Sequence, residues 1–355
     1  MRQNLNNPLA AFDTMFAGQD PNELLAKATF ERGYGYQDVE LKKAEMATRV
    51  IVGGAGGGGG LLAQMLAKKG YEVISADPED MSDTNRGRMI HANDDTIGVN
   101  KAQVVKNVTE KDDTVHPVKV YTDGVTKDNV EDMFRAGLHE GQLVIAYDGI
   151  EFRYQHIARM FAQEAKKRGA PFMTGTDIGY GGLLTVIHPY AKRYTYDRVN
   201  RVPKHIQELS KSNEPHSEEL EKFESPLDTL AYVPPYGSID TLMSVQNGAD
   251  LPSTPESVLI ATALCMREIQ NIVANAAGIR GYKTPSWAPK SKWIDADGIA
   301  GSTRFPRTSF YGHLAVAAFR DKVAKINPQA SYDVRDIAAR EEQRVLAAAS
   351  RNVLL

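Results

Sequence analysis

The sequence predicts a doubly wound α/β fold, and two observations carry that expectation. The stretch "RVIVGGAGGGGGLLAQMLAKKGYEVISAD" reads as strand, glycine turn, amphipathic helix and second strand. That unit is the crossover of a parallel sheet. Helical and strand-like patterns then keep alternating as far as Pro189, which favours one sheet with helices on both faces.

Residues 1–48 are polar and weakly patterned, with helical pieces leading into the first strand. "RVIVGG" is a short buried strand, "LLAQMLAKKG" a helix stopped by Gly70, and "YEVISAD" a second strand. "NKAQVVKNVTEKD" and "VEDMFRAG" read as helices, with "VKVYTDGV" as a strand between them. "QLVIAYDG" is a strong strand ending in acid, "YQHIARMFAQEAKKRG" an amphipathic helix, and "APFMTGTD" the next strand. From Tyr190 to Pro235 charge and proline mark an excursion with one short helix. "TPESVLIATALCMREIQNIVANAAG" resumes as a long, largely buried helix ended by Gly278. An aromatic, proline-rich loop follows, and the tail from Ser331 reads as a surface helix. The chain is therefore expected to divide into an N-terminal helical segment, 1–48, and a nucleotide-binding core, 49–189. A substrate and crossover region, 190–330, and a tail helix, 331–355, complete it.

With 42 basic and 45 acidic side chains, a formal charge of −3 gives no pull towards nucleic acid or an anionic membrane. No stretch reads as a membrane span or a signal-like start, so a cytoplasmic location is expected. The lone cysteine, Cys265, excludes an internal disulfide and a multi-cysteine zinc site. It sits in an apolar helical stripe and reads as a buried structural thiol.

Glycines at a strand-to-helix turn let backbone amides close on phosphate. "GAGGGG", with Gly54, Gly56, Gly57 and Gly59, fits G-x-G-x-x-G, but no Gly-Lys-Ser/Thr follows, so the P-loop pattern fails. Asp77, at the end of the second strand, suits a ribose hydroxyl of either NAD or ATP. The loop alone leaves both ligands open, together with a turn that only packs helix on strand.

The residues downstream favour ATP. Asn85 and Arg88 lie in "TNRGRM", Lys101 ends "GVNK", and Asp148 opens "DGIEFR", in which Arg153 follows. With "DPE", Asp77 to Glu79, this order resembles the ubiquitin-activating-enzyme-like adenylating family of ThiF, MoeB and HesA type. That family reads glycine loop, D-x-D, S-N-L-x-R-Q, G-x-x-K and D-N-x-x-x-R. The likeness covers about residues 49–188 and departs at Met89 and Gly149. The zinc-binding Cys-x-x-Cys pairs and the thioester cysteine of many members are absent.

The resemblance implies a Rossmann-like doubly wound sheet with a C-terminal extension. It also implies an enzyme that joins a carboxylate to the α-phosphate of ATP and expels pyrophosphate. Under that reading the amides of Gly54–Gly59 and the cations Arg88 and Lys101 gather the triphosphate. Asp148 holds Mg²⁺, Asp77 with Glu79 binds the ribose, and Asn85 lies in the nucleotide pocket. No zinc is expected. The carboxylate belongs to a peptide, a ubiquitin-like protein or a small acid. A homodimer is expected, with the 255–277 helix as a broad apolar surface and Arg32 or Lys27 lent to the partner's site.

Taken singly, Arg88 and Lys101 also read as surface cations, Asp148 as a helix cap and Arg153 as a brace. Two other functions stand beside adenylation. They are an NAD(P)-dependent oxidoreductase and a non-catalytic binding or dimerisation module. Trp287, Trp293, Arg304 and Arg307 are candidates to receive the substrate, or to cap the sheet edge.

Overall fold

A computed structural model describes residues 5–27, 38–112, 114–151, 154–200, 240–241, 252–296 and 300–304. Eight strands form one sheet in the order β3-β2-β1-β4-β5-β6-β7-β8. They are β1 (Thr48–Gly53), β2 (Glu72–Ala76), β3 (Lys119–Tyr121), β4 (Leu143–Asp148) and β5 (Phe172–Ile178), all mutually parallel. Then come β6 (Gly181–Ile187), β7 (Lys290–Asp295) and β8 (Ala300–Arg304), each antiparallel to its neighbour.

Every residue of β1, β4 and β6 is buried, because helices cover both faces of the sheet. The period of two sorts the side chains. Val50, Val52, Ile145 and Tyr147 pack with Leu62 and Leu66 of α4 (Gly57–Lys68) and with Val105 of α5 (Lys101–Thr109). Ile51, Val144 and Ala146 pack on the other face with Phe134 of α6 (Val130–Arg135) and Phe161 of α7 (Gln155–Lys167). The short helix α8 (Tyr196–Val199) closes that second face with Tyr196 and Val199.

The N-terminal segment folds as helices on its own chain. Asn7 caps α1 (Pro8–Met15), and Phe12 and Phe16 cluster with Leu24 of α2 (Pro21–Lys27) and with Met46. Asp38 caps α3 (Val39–Met46), which sends Leu41 and Ala44 into the main core. Its buried Glu45 pairs with Lys42 at 2.8 Å and with Lys69 at 2.9 Å, tying α3 to the end of α4. The Lys27 terminus of α2 belongs to the described chain; Arg32 lies outside the described residues.

Helix α9 (Pro255–Ala276) begins at a capping box between Thr254 and Ser257. It is long and apolar enough to cross a membrane, contrary to the sequence expectation that no stretch is. Its apolar residues are used otherwise. Val258, Ala261, Cys265, Ile269, Ile272 and Val273 are buried in the chain's own core. The broad apolar dimer surface expected of this helix is thereby mostly consumed, leaving Leu259 and Ala263 exposed.

The aromatic, proline-rich stretch expected as a loop supplies β7 and β8. In "KSKWID", Ser291 and Trp293 are buried while Ile294 points outward, the alternation of a half-buried strand. Flanking Pro285, Pro289 and Asp297 hide that short signal in the sequence. Thr185 and Ser291 hydroxyls bond at 2.7 Å across β6 and β7. Trp293 is thus a core side chain, and Trp287 packs edge-on against His188. The Arg304 side chain, Arg307, the 201–239 excursion and the tail helix lie outside the described residues.

Candidate active site

The strand order reverses between β1 and β4, so a crevice opens above the carboxyl ends of these strands. Ala76, Gly53, Asp148 and Thr174 stand side by side across β2, β1, β4 and β5 at that edge. The predicted nucleotide-binding residues come from the turns that leave these strand ends.

Backbone hydrogen bonds close the two ends of the glycine loop. Gly54 N donates to Ala76 O at 2.7 Å, and Gly149 N donates to Gly53 O at 2.7 Å. Gly54 has φ +88°, and a Cβ there would run into the Gly149 backbone. A Cβ on Gly59 would run into the Gly54 carbonyl. Gly149, where the family pattern has Asn, is part of this closure, since a Cβ there would stand 3.0 Å from Gly54 O. Gly56, by contrast, has nothing within 4 Å of its Cβ position. It is the N-cap of α4 and no side chain caps that helix. The first amides of α4, at Gly57 onward, are therefore left for an acceptor from outside, as an anion site requires. Gly54→Ala is expected to cost roughly 2–4 kcal/mol, from positive φ and backbone overlap together. Chemical denaturation measures it, and an unchanged midpoint would contradict the closure described here.

Asp77 is buried, and both its carboxylate oxygens take backbone amides. Oδ2 accepts from Ala55 N at 2.6 Å and Oδ1 from Glu79 N at 2.8 Å. Burial nevertheless pushes its carboxyl above the ordinary range, against those two bonds and the nearby Lys101 charge. Asp77 thus pins the glycine loop to the end of β2. Glu79 is half-exposed and pairs with Lys101 at 2.6 Å.

Lys101 is the first residue of α5 and only 7% exposed, so the surface-cation alternative for it is corrected. Asn100, which sequence reasoning missed, explains the placement. Its Oδ1 caps α5, and its Nδ2 reaches Asp77 O at 2.9 Å. The signal was present, because Asn immediately before a helix is a preferred cap.

Arg88 is half-buried; its backbone amide donates to Asn85 O at 3.1 Å, and its guanidinium has no hydrogen bond or ion pair among the described residues. Its loop is nonetheless well fixed. Asn85 Oδ1 accepts from Ser82 N at 2.9 Å in a capping box. His91 Nε2 meets Gln64 Oε1 of α4 at 2.5 Å. Met89, at the position of the family's Gln, packs with Met81 and Val104 and anchors the loop from below.

Asp148 is 4% exposed and has no cation partner among the described residues. It accepts from Ile150 N at 3.1 Å and from Thr174 Oγ1 at 3.4 Å. Desolvation outweighs those bonds and pushes its carboxyl from an ordinary 3.8 to about 7. Arg153 lies outside the described residues.

The edge of the sheet therefore holds uncapped helix amides, a buried ammonium and a buried carboxylate that has no cation partner among the described residues. The first two fit a polyphosphate, and the last fits a hard cation such as Mg²⁺. Among the described residues no group of three or more His, Cys, Asp or Glu side chains gathers for a metal.

Cys265 is fully buried between Tyr147 and Gly175, and burial raises its thiol well above the usual range. A group so placed is neither exposed nor ionised enough to act as a nucleophile. Cys265→Ala is expected to keep full activity and lose about 1 kcal/mol of stability. A substrate–enzyme thioester cleaved by thiols would contradict this.

Solved structures share the fold. E. coli MccB with ATP superposes with a TM-score of 0.53 at 15% identity, over 79% of this chain and 71% of that one. The Microcin C7 biosynthetic enzyme MccB, in complex with N-formylated MccA, gives 0.53 at 14% over 80% and 75%. E. coli MccB with AMPCPP and MccA gives 0.52 at 14% over 82% and 74%. Among curated proteins none matches. The ThiF family pattern matches residues 32–291, well over half of the chain. On that match the chain belongs to the ThiF family.

Proposed function

We propose that this protein is an ATP-dependent adenylating enzyme that activates a carboxylate as its acyl-adenylate and releases pyrophosphate. The observation that carries the reading is the pairing of two unmatched needs at one sheet edge. Uncapped amides at Gly57 ask for an anion, and buried Asp148 asks for a cation. ATP·Mg²⁺ satisfies both. The MccB structures with ATP and with MccA support the same reading, with a peptide-borne carboxylate ahead of a ubiquitin-like protein or a small acid.

In this reading Arg88 grips phosphate oxygens in a bidentate fork, and Lys101 turns from Glu79 towards the α-phosphate as a point charge. The loop amides add fixed donors that need no reorganisation as charge develops. Asp77 keeps a second lone pair on each oxygen for the ribose hydroxyls, with Glu79 and Asn85 beside it. Asp148 is the residue that would hold Mg²⁺, which when bound would neutralise charge at the phosphates. A general base is unnecessary, because the attacking carboxylate is ionised at neutral pH. Residues 49–189 carry the nucleotide and 190–330 select the acid, in a cytoplasmic enzyme.

An NAD(P) oxidoreductase would leave Arg88, Lys101 and Asp148 without a role. Titration with ATP·Mg²⁺ against NAD⁺ separates the two, and ATP–pyrophosphate exchange with carboxylates then separates an enzyme from a binding module. Tight NAD⁺ binding without ATP binding would overturn the reading. We further propose a homodimer, checked by light scattering at micromolar concentration. A truncation that probes a trans contribution from the N-terminal segment should stop before Asp38, because α3 belongs to the core.

A further inference from the structure

The end of the sheet opposite the nucleotide crevice carries a cavity that the function above does not use. Its volume is about 320 Å³, the size of a site for a small molecule. The floor is apolar: Phe134 of α6, Leu143 and Val144 of β4, and Ala170 before β5 line it, all buried. The rim carries the exposed Leu138, with Arg135 at the end of α6 and Arg168 just past α7. Leu143 opens the strand that Asp148 ends. About 17 Å of β4 therefore separates the cavity from the crevice.

The rim gathers three cations around two carboxylates. Arg168 donates from Nε to Glu164 at 2.6 Å and from Nη2 to Glu131 at 2.7 Å. Arg135 donates from Nη1 to the same Glu131 oxygen at 2.8 Å. Lys167 approaches Glu164 at 3.3 Å and Glu131 at 3.9 Å. A guanidinium has more N–H groups than these bonds use, so both arginines keep donors to spare. Main-chain acceptors at these helix ends are partly spent. Ala170 N donates to Ala165 O at 2.8 Å, Gly169 N to Lys166 O at 3.2 Å and Leu138 N to Arg135 O at 3.1 Å.

Arg49 is a second sign of the same kind. It is the register partner of Val144 across β1 and β4, so it lies on the cavity's face of the sheet. It is 1% exposed and bonds Glu72 through Nη2 at 2.7 Å. Its Nε and Nη1 are buried with no hydrogen-bond partner among the described residues. Buried donors left unmet favour an acceptor brought close to them.

We propose that this cavity is a second binding site, separate from the nucleotide crevice, for a small organic acid with an apolar body, such as a short fatty acid. The body lies on Phe134, Leu143 and Val144, and the carboxylate takes the spare N–H groups of Arg135 and Arg168. The site stands on its own geometry, whether or not the protein forms adenylates.

The test is calorimetric titration of the full chain with hexanoate, hexanol and hexylamine, each with and without ATP·Mg²⁺. Hexanoate should saturate one site roughly tenfold more tightly than the alcohol or the amine, and ATP·Mg²⁺ should leave its affinity unchanged. Arg135→Gln and Leu138→Asp alter exposed side chains, so melting temperature should hold. The first should lose the preference for the acid, and the second should weaken hexanoate about tenfold by like charge. If one variant melts lower, the other and the comparison of the three probes still decide. Absence of saturable binding at millimolar hexanoate would overturn the proposal. So would an alcohol or amine that binds as tightly, displacement of hexanoate by ATP·Mg²⁺, or both variants binding it as the unmodified protein does.

Discussion

Asp148→Asn is expected to lose acyl-adenylate formation by a factor of roughly 10²–10³ and, at the same time, to become more stable. Both effects come from one buried carboxylate. In the folded chain it titrates near 7, whereas an exposed Asp titrates near 3.8. Between those values the folded state keeps a proton that the unfolded state has released. Stability therefore falls as pH rises from about 4 to about 7 and is flat above that. At pH 8 the ionised form costs on the order of 2–4 kcal/mol, which Asn removes while still accepting from Ile150 N. Melting curves at pH 5 and pH 8 check this. The unmodified protein should lose stability between them, and Asp148→Asn should not lose it to the same degree. ATP·Mg²⁺ should offset the cost by supplying the missing cation, so ligand-induced stabilisation should be larger for the unmodified protein. An Asp148→Asn protein that melts lower at pH 8 would contradict the assignment.

Lys101→Ala is expected to reduce pyrophosphate exchange by roughly a hundredfold or more, and Arg88→Ala by a similar factor. The two should differ in stability. Lys101 is buried and pairs with the half-exposed Glu79, so its removal costs about 1 kcal/mol. Arg88 has no partner to lose among the described residues, so its removal should leave melting within about 0.5 kcal/mol of the unmodified protein. Lys101→Arg keeps the charge but exchanges a compact ammonium for a wide fork in a tight position, and should recover little activity. Adenylate formed at the normal rate by Lys101→Ala would remove it from the site.

The sequence by itself determined the crossover unit, the alternation to Pro189 and the order of Asp77, Asn85, Arg88, Lys101 and Asp148. Each of these is encoded locally, by a period of two or 3.6, by glycine at a turn or by spacing behind a strand end. The long 255–277 segment was legible as a buried helix for the same reason. Its true partner was not, because the same apolar stripe serves a membrane, a second chain or the chain's own sheet. Only the tertiary structure decided that it packs on the chain's own strands. Likewise β7 and β8 owe their pairing to an edge offered by β6, which the proline-rich stretch around them does not announce. The state of each site residue was also tertiary. Lys101 is buried because Asn100 caps α5 against Asp77, and Asp148 titrates near 7 because β1 and β5 flank it and remove water. Asp177 stands beside Gly57 only once β5 and α4, 120 residues apart in the chain, are brought together. Spacing along a sequence selects the residue types a site can use, while burial and distance, which decide their charge and their neighbours, arise only when the sheet has assembled.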